Sequence, residues 1–188
     1  MTARILPFVM IALVTACSSS EPTLRYAVPT VDAGARIGVS VSTVEVRAIT
    51  LPSYASHEEI FTETAEGALV SNPDLLWADE PSRAMSLNLS RTLSEITRAR
   101  VAGEPWPFEE RPNAQIDVRV EEMVAGNTGE FRLSGQYFVT SPSGEGREHS
   151  HRFEITTPYS TEGGAQSIAL ARATAVRDLA REIANEGL

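Results

Sequence analysis

The chain has no lysine. Its 16 basic residues are all arginines, set against 25 acids, for a formal net charge of −9 over 188 residues. No cationic run is present, which argues against a nucleic-acid binder held by phosphate contacts. The same acidity is repelled by anionic lipid headgroups, so membrane attachment would need more than charge. Histidine appears three times and cysteine once. A lone cysteine excludes an internal disulfide. So few soft donors leave little for a metal centre, which takes three or four such ligands. No apolar run reaches the ~20 residues of a membrane-spanning helix. No G-x-S-x-G elbow, phosphate loop or dinucleotide fingerprint appears, and Gly163-Gly164 reads as a turn. No repeat with a period of 20–50 residues is visible.

What the chain does have begins with the placement of its cysteine. Arg4 precedes a short apolar run over residues 5–14, the length of a signal-peptide core. Val14-Thr15-Ala16-Cys17 follows, and this order resembles a bacterial lipobox. In that chemistry the Cys17 sulfur takes a diacylglycerol, and cleavage before it frees an amine for a further acyl chain. Residues 1–16 are then a signal peptide. Two or more acyl chains anchor stably where one does not. Ser18 stands where an aspartate would signal inner-membrane retention, which favours the outer membrane. Residues 17–36, rich in Ser, Pro, Gly and Ala, read as the lipidated cysteine and a flexible tether. Within them, residues 24–31 have the makings of a short edge strand.

The remainder, residues 37–188, is one domain with room for a core. In residues 37–51, Ile37, Val39 and Val41 share a face. Val44 and Val46 share the next, and Ile49 and Leu51 return to the first. Each phase change flips the pleat, so breaks are expected near Thr43 and Ala48. Short elements are expected over residues 58–62 and 69–77, with Asn72-Pro73-Asp74 as a turn signal. Residues 80–101 read as a helix capped by Asp79, with Pro81 in its first turn and a buried stripe of Met85, Leu89, Leu93 and Ile96. Three alternating strands follow, carrying Ile116, Val118 and Val120, then Phe131, Leu133, Tyr137 and Val139, then Phe153 and Ile155. Turn residues between them predict an antiparallel meander. Residues 164–187 read as a closing helix with Ile168, Ala171, Ala175, Leu179 and Ile183 inward. Arg172, Arg177, Asp178, Arg181 and Glu182 fall on its solvent side. The expectation is an α/β (α+β) fold: a single mixed, largely antiparallel sheet of about four or five strands packed with two main helices.

Few residues suggest chemistry. His149 and His151 point the same way on a strand, but His57 is the only other histidine. The carboxylate pairs Glu58-Glu59, Glu109-Glu110 and Glu121-Glu122 are sequence neighbours that point apart on a strand. No catalytic residue and no metal site is assigned. Trp77 and Trp106 sit beside turn residues. Each is either core padding or an interface anchor, a role in which tryptophan is over-represented.

The lipobox is followed by "VEVRAITLPSY", "EEIF", "LLWADEPSRAMSLNLSRTL", "EPWP", "IDVRVEEM", "LSGQYFV", "HRFEI" and an alanine-rich last helix. This ordered series resembles the PqiC (YmbA) family of ABC-type transport auxiliary lipoproteins. Leu76 departs from the arginine often found before the family's Trp-Ala pair. The resemblance implies a non-enzymatic, outer-membrane-anchored subunit facing the periplasm. Its implied partner is an MCE-domain tunnel protein, with its membrane and ABC components, that moves phospholipid between membranes. MCE rings would make self-association with matching symmetry plausible. No cofactor is implied beyond the diacylglycerol and acyl chain on Cys17. Two other readings remain on the residues alone: a domain that itself carries lipid in an apolar pocket, and a periplasmic enzyme.

Overall fold

The computed structural model describes residues 22–144, 146 and 148–188, so the expectations for the signal peptide and for Cys17 lie outside the described residues. Along the chain come β1 (Leu24–Tyr26), β2 (Thr43–Val46), β3 (Glu59–Glu63), β4 (Leu69–Trp77) and α1 (Pro81–Ile96). They are followed by β5 (Arg100–Gly103), β6 (Ala114–Ala125), β7 (Glu130–Thr140), β8 (His149–Pro158) and α2 (Gly164–Glu182), with a π-helical turn at Ile183–Gly187.

β6 organises the sheet. Along one edge it pairs antiparallel with β7, which pairs antiparallel with β8. Its other edge is 12 residues long and no single partner covers it. β2 runs parallel to its start, Thr50 bridges Arg119 near its middle, and Thr62 of β3 meets Ala125 at its end. The sheet therefore branches. β5 extends the β2 half in parallel, while β4 and then β1 extend the β3 half. The meander appears as expected, but the sheet has eight strands rather than four or five. β1, at the end of the sheet path, falls within the short edge strand expected over residues 24–31, whereas β5 is four residues long, pairs parallel with a distant segment and carries no readable alternation.

Both helices pack on one face of this sheet and against each other. Met85, Leu89, Leu93 and Ile96 are fully buried, and Ile168, Ala171, Ala175, Leu179 and Ile183 are buried on α2. The cap of α1 is Glu80, not Asp79: its carboxylate accepts from the Ser82 and Arg83 amides at 2.9 and 2.6 Å. α1 also stops at Ile96, short of residue 101. The Thr97 hydroxyl turns back onto the Leu93 carbonyl at 2.7 Å, and the chain then enters β5 beside β2. The opposite sheet face is polar. There Arg132 bridges Glu63 and Glu122 at 3.0 and 2.8 Å.

Residues 24–36 belong to the domain, which shortens the expected tether. Leu24–Tyr26 pair with residues 75–77 of β4. Arg181 of α2 donates to the Ala33 and Ala35 carbonyls at 3.1 and 3.0 Å. The Asn72-Pro73-Asp74 signal marks an irregularity inside β4, where the register with β3 jumps, rather than a reversal of the chain. The hairpin reversal lies at residues 64–68, closed by Thr64 and Ala68. Among the described residues no helix is long and apolar enough to cross a membrane.

Candidate functional site

β1 fixes where anything attached to Cys17 can sit. Leu24 follows Cys17 by seven positions, a span of at most ~25 Å when fully extended. β1 lies at the end of the sheet path, next to β4 and near α2.

Trp77 ends β4 directly opposite Tyr26, and the Tyr26 carbonyl accepts the Ala78 amide at 2.9 Å. The Trp77 side chain is 4% exposed, so it is part of the core. Over its ring, 4.6 Å from the centroid, lies the Arg172 guanidinium. Arg172 is 1% exposed, a correction to its expected place on the solvent side of α2. Its signal was legible: it falls four residues after Ile168 and four before Val176, both buried. Its Nη2 donates to the Pro81 carbonyl at 2.8 Å. Nε and Nη1 have no partner among the described residues. Burial pulls the Arg172 pKa down to about 10, with Glu80 and Asp79 acting in the other direction, so it stays charged at neutral pH. Beside this pair is a cleft of about 240 Å³, whose lining includes Tyr26, Val28, Trp77, Leu87, Arg91 and Arg172.

Trp106 lies elsewhere, in the segment between β5 and β6. Its indole Nε1 donates to the Glu110 carbonyl at 2.7 Å, which fixes the loop. Phe108 meets its ring edge-on at 4.9 Å and is 42% exposed. The Arg100 guanidinium stands 5.0 Å from the Phe108 centroid. The result is a small amphipathic surface knob with aromatic and cationic faces, the composition of an interface anchor.

The two histidines do share a face, with ring centroids 6.0 Å apart. His151 stacks on Tyr137 at 5.2 Å, and its Nδ1 is 3.7 Å from Glu186. Burial, then the nearby Glu182 and Glu186 carboxylates, push the Tyr137 hydroxyl far above its ordinary range. His57 sits in the segment before β3. Among the described residues no three His, Cys, Asp or Glu side chains are grouped to hold a metal ion. Glu121 and Glu122 take different partners. Glu121 accepts from Gln136 and Arg152, while Glu122 accepts from Arg132.

The family model for the ABC-type transport auxiliary lipoprotein component matches residues 23–184. Protein XCC0632 from Xanthomonas campestris, of family DUF330, superposes with a TM-score of 0.66 at 14% identity, over 86% of this chain and 93% of that one. A crystal structure of an uncharacterized protein superposes with a TM-score of 0.65 at 15% identity, over 87% of this chain and 97% of that one. At such identities the likeness shows a shared fold. No curated protein matches the chain.

Proposed function

The chain belongs to the ABC-type transport auxiliary lipoproteins, and on that premise we propose that it is the outer-membrane docking subunit of an MCE-type system moving phospholipid between membranes. It performs no chemistry itself. The observation that carries the reading is the extent of the family match: it begins at residue 23, six positions after Cys17, and runs to residue 184, through all of α2 and into the π-helical turn that follows it. In this reading acyl chains on Cys17 hold β1 close to the bilayer, and the domain presents its remaining surface to the periplasm. The Trp106–Phe108 knob is the proposed partner contact. Trp77, being buried, supports that contact only through the fold.

Two measurements test it. Cys17→Ser is expected to move the protein from the outer-membrane fraction to the soluble periplasm; unchanged fractionation removes the mooring. Crosslinking of the wild type in membranes is expected to capture a protein carrying an MCE domain, identified by mass spectrometry. Trp106→Ala should reduce that capture while leaving thermal unfolding unchanged. Failure to recover any MCE-domain protein from wild type removes the docking role.

A further inference from the structure

We propose that the cleft beside Trp77 is a binding site for a small phosphate ester, with Arg172 buried beneath it and Arg91 exposed beside it. The argument rests on unused donors. A guanidinium carries five N–H donors, and a buried polar group without a partner is costly. Arg172 makes one hydrogen bond, to the Pro81 carbonyl. Its Nε and Nη1 are buried and have no partner among the described residues.

The nearby acids are committed elsewhere. The Glu80 carboxylate caps α1 through the Ser82 and Arg83 amides. Asp79 accepts from the Glu80 amide and pairs with Arg83. They lower the electrostatic cost of the buried cation without touching its free N–H groups. Arg91 lines the same cleft, and among the described residues its guanidinium makes only one hydrogen bond, to Asn88. Two arginines, each with guanidinium donors unpartnered among the described residues, therefore line one cleft in a chain of formal charge −9.

Two separate cations on the lining favour phosphate over carboxylate. A carboxylate offers two oxygens in one plane, whereas a phosphate ester has additional oxygens out of that plane and can accept from two separate cations. Tyr26, Val28 and Leu87 supply apolar wall beside the charged groups. A volume of about 240 Å³ accepts a phosphate with a glycerol-sized body but leaves no room for acyl chains. The ligand is a free phosphate ester or the headgroup of a phospholipid. The site does not depend on lipidation of Cys17 or on a transport partner.

The test follows arginine Nε–H resonances of the full chain in detergent by ¹⁵N–¹H NMR, alongside thermal unfolding, during titration with sn-glycerol 3-phosphate. The Arg172 signal is assigned by its loss in Arg172→Lys. It should move at millimolar ligand, and Tm should rise. Arg91→Ala should weaken binding by at least about tenfold, the loss of one charge-assisted contact, and Leu87→Trp should weaken it at least as much by occupying the cleft. Leu87→Trp fills the cleft from an exposed position and keeps both cations, so it tests the site even if Arg172 variants fold poorly.

Full chain in nanodiscs separates the sources. A shifted Arg172 signal in phosphatidylglycerol but not in a phosphate-free galactolipid supports the headgroup. A shift with soluble ester alone supports a free metabolite. The proposal is overturned if the Arg172 resonance stays fixed with ester at ~10 mM, well above a millimolar Kd, and in both nanodiscs. It is also overturned if Leu87→Trp leaves the response unchanged.

Discussion

Gly135 on β7 faces Val120 on β6 where β6 slips register, and a Cβ placed on it would lie 2.2 Å from the Arg119 carbonyl oxygen. Backbone, not a flexible side chain, occupies that space, so nothing nearby can swing aside. Gly135→Ala is expected to cost at least ~2–3 kcal/mol through forced backbone shifts in the central strand pair. Urea unfolding should show a lower midpoint with an unchanged slope. Gly38, with nothing within 4 Å of a built Cβ, is the control. Its alanine variant should stay within about 0.5 kcal/mol of wild type.

Asn113 fastens the start of β2 to the start of β6. Its Oδ1 accepts from the amides of Ser42 and Thr43 at 3.3 and 3.2 Å, and from their hydroxyls at 2.7 and 2.9 Å. Its own amide donates to the Thr43 hydroxyl at 2.9 Å. Asn113→Ala leaves partly buried donors without an acceptor and is expected to cost ~1–3 kcal/mol. Asn113→Asp keeps the acceptor and should recover most of the loss. Hydrogen exchange at residues 42–46 should speed up in the alanine variant only.

The cluster around His151 predicts a pH dependence. Burial, then repulsion from Glu186, raises the Glu182 carboxyl above the ordinary glutamate range, while His151 opposes the shift. The folded chain therefore holds this proton at pH values where the unfolded chain has released it. Stability from this group falls as pH rises from the ordinary glutamate range through the raised value, and is flat above it. Glu182→Gln should make the protein more stable than wild type at neutral pH. The advantage should shrink once the pH drops below the ordinary glutamate value. Denaturation across pH 3.5–8 measures both.

Legibility followed periodicity. Ile116, Val118, Val120, Leu133 and Ile155 alternate in sequence and are buried in the structure. The breaks expected near Thr43 and Ala48 bracket β2, which runs only from Thr43 to Val46. β5 was hidden because Arg100–Gly103 follows a good helical pattern with no alternation of its own, and its partner lies more than fifty residues earlier. Glu80 outcompeted Asp79 as the cap because Asp79 is drawn to Arg83 and the Glu80 amide. The Trp77–Arg172 pair needed two elements nearly a hundred residues apart, so only the helical spacing of Arg172 hinted at it. Cys17 lies outside the described residues and stands on sequence alone.

The reach of the anchor depends on where the folded chain begins, and truncation measures it. Were residues 22–36 a free tether, deleting them would change stability by no more than about 0.5 kcal/mol. The structure argues otherwise. The deletion removes the three-residue ladder between β1 and β4 and buried Ala33, together with Tyr26 and Val28, which pack against the core. It also leaves the Arg181 guanidinium without its two carbonyl acceptors. The expected loss is ~2–4 kcal/mol from apolar burial and backbone pairing combined. Arg181→Ala alone should cost ~1–2 kcal/mol and speed amide exchange over residues 33–37, while amides of β6 and β7 stay protected. A truncated chain as stable as the full one would return residues 22–36 to the tether and lengthen the arm between bilayer and domain accordingly.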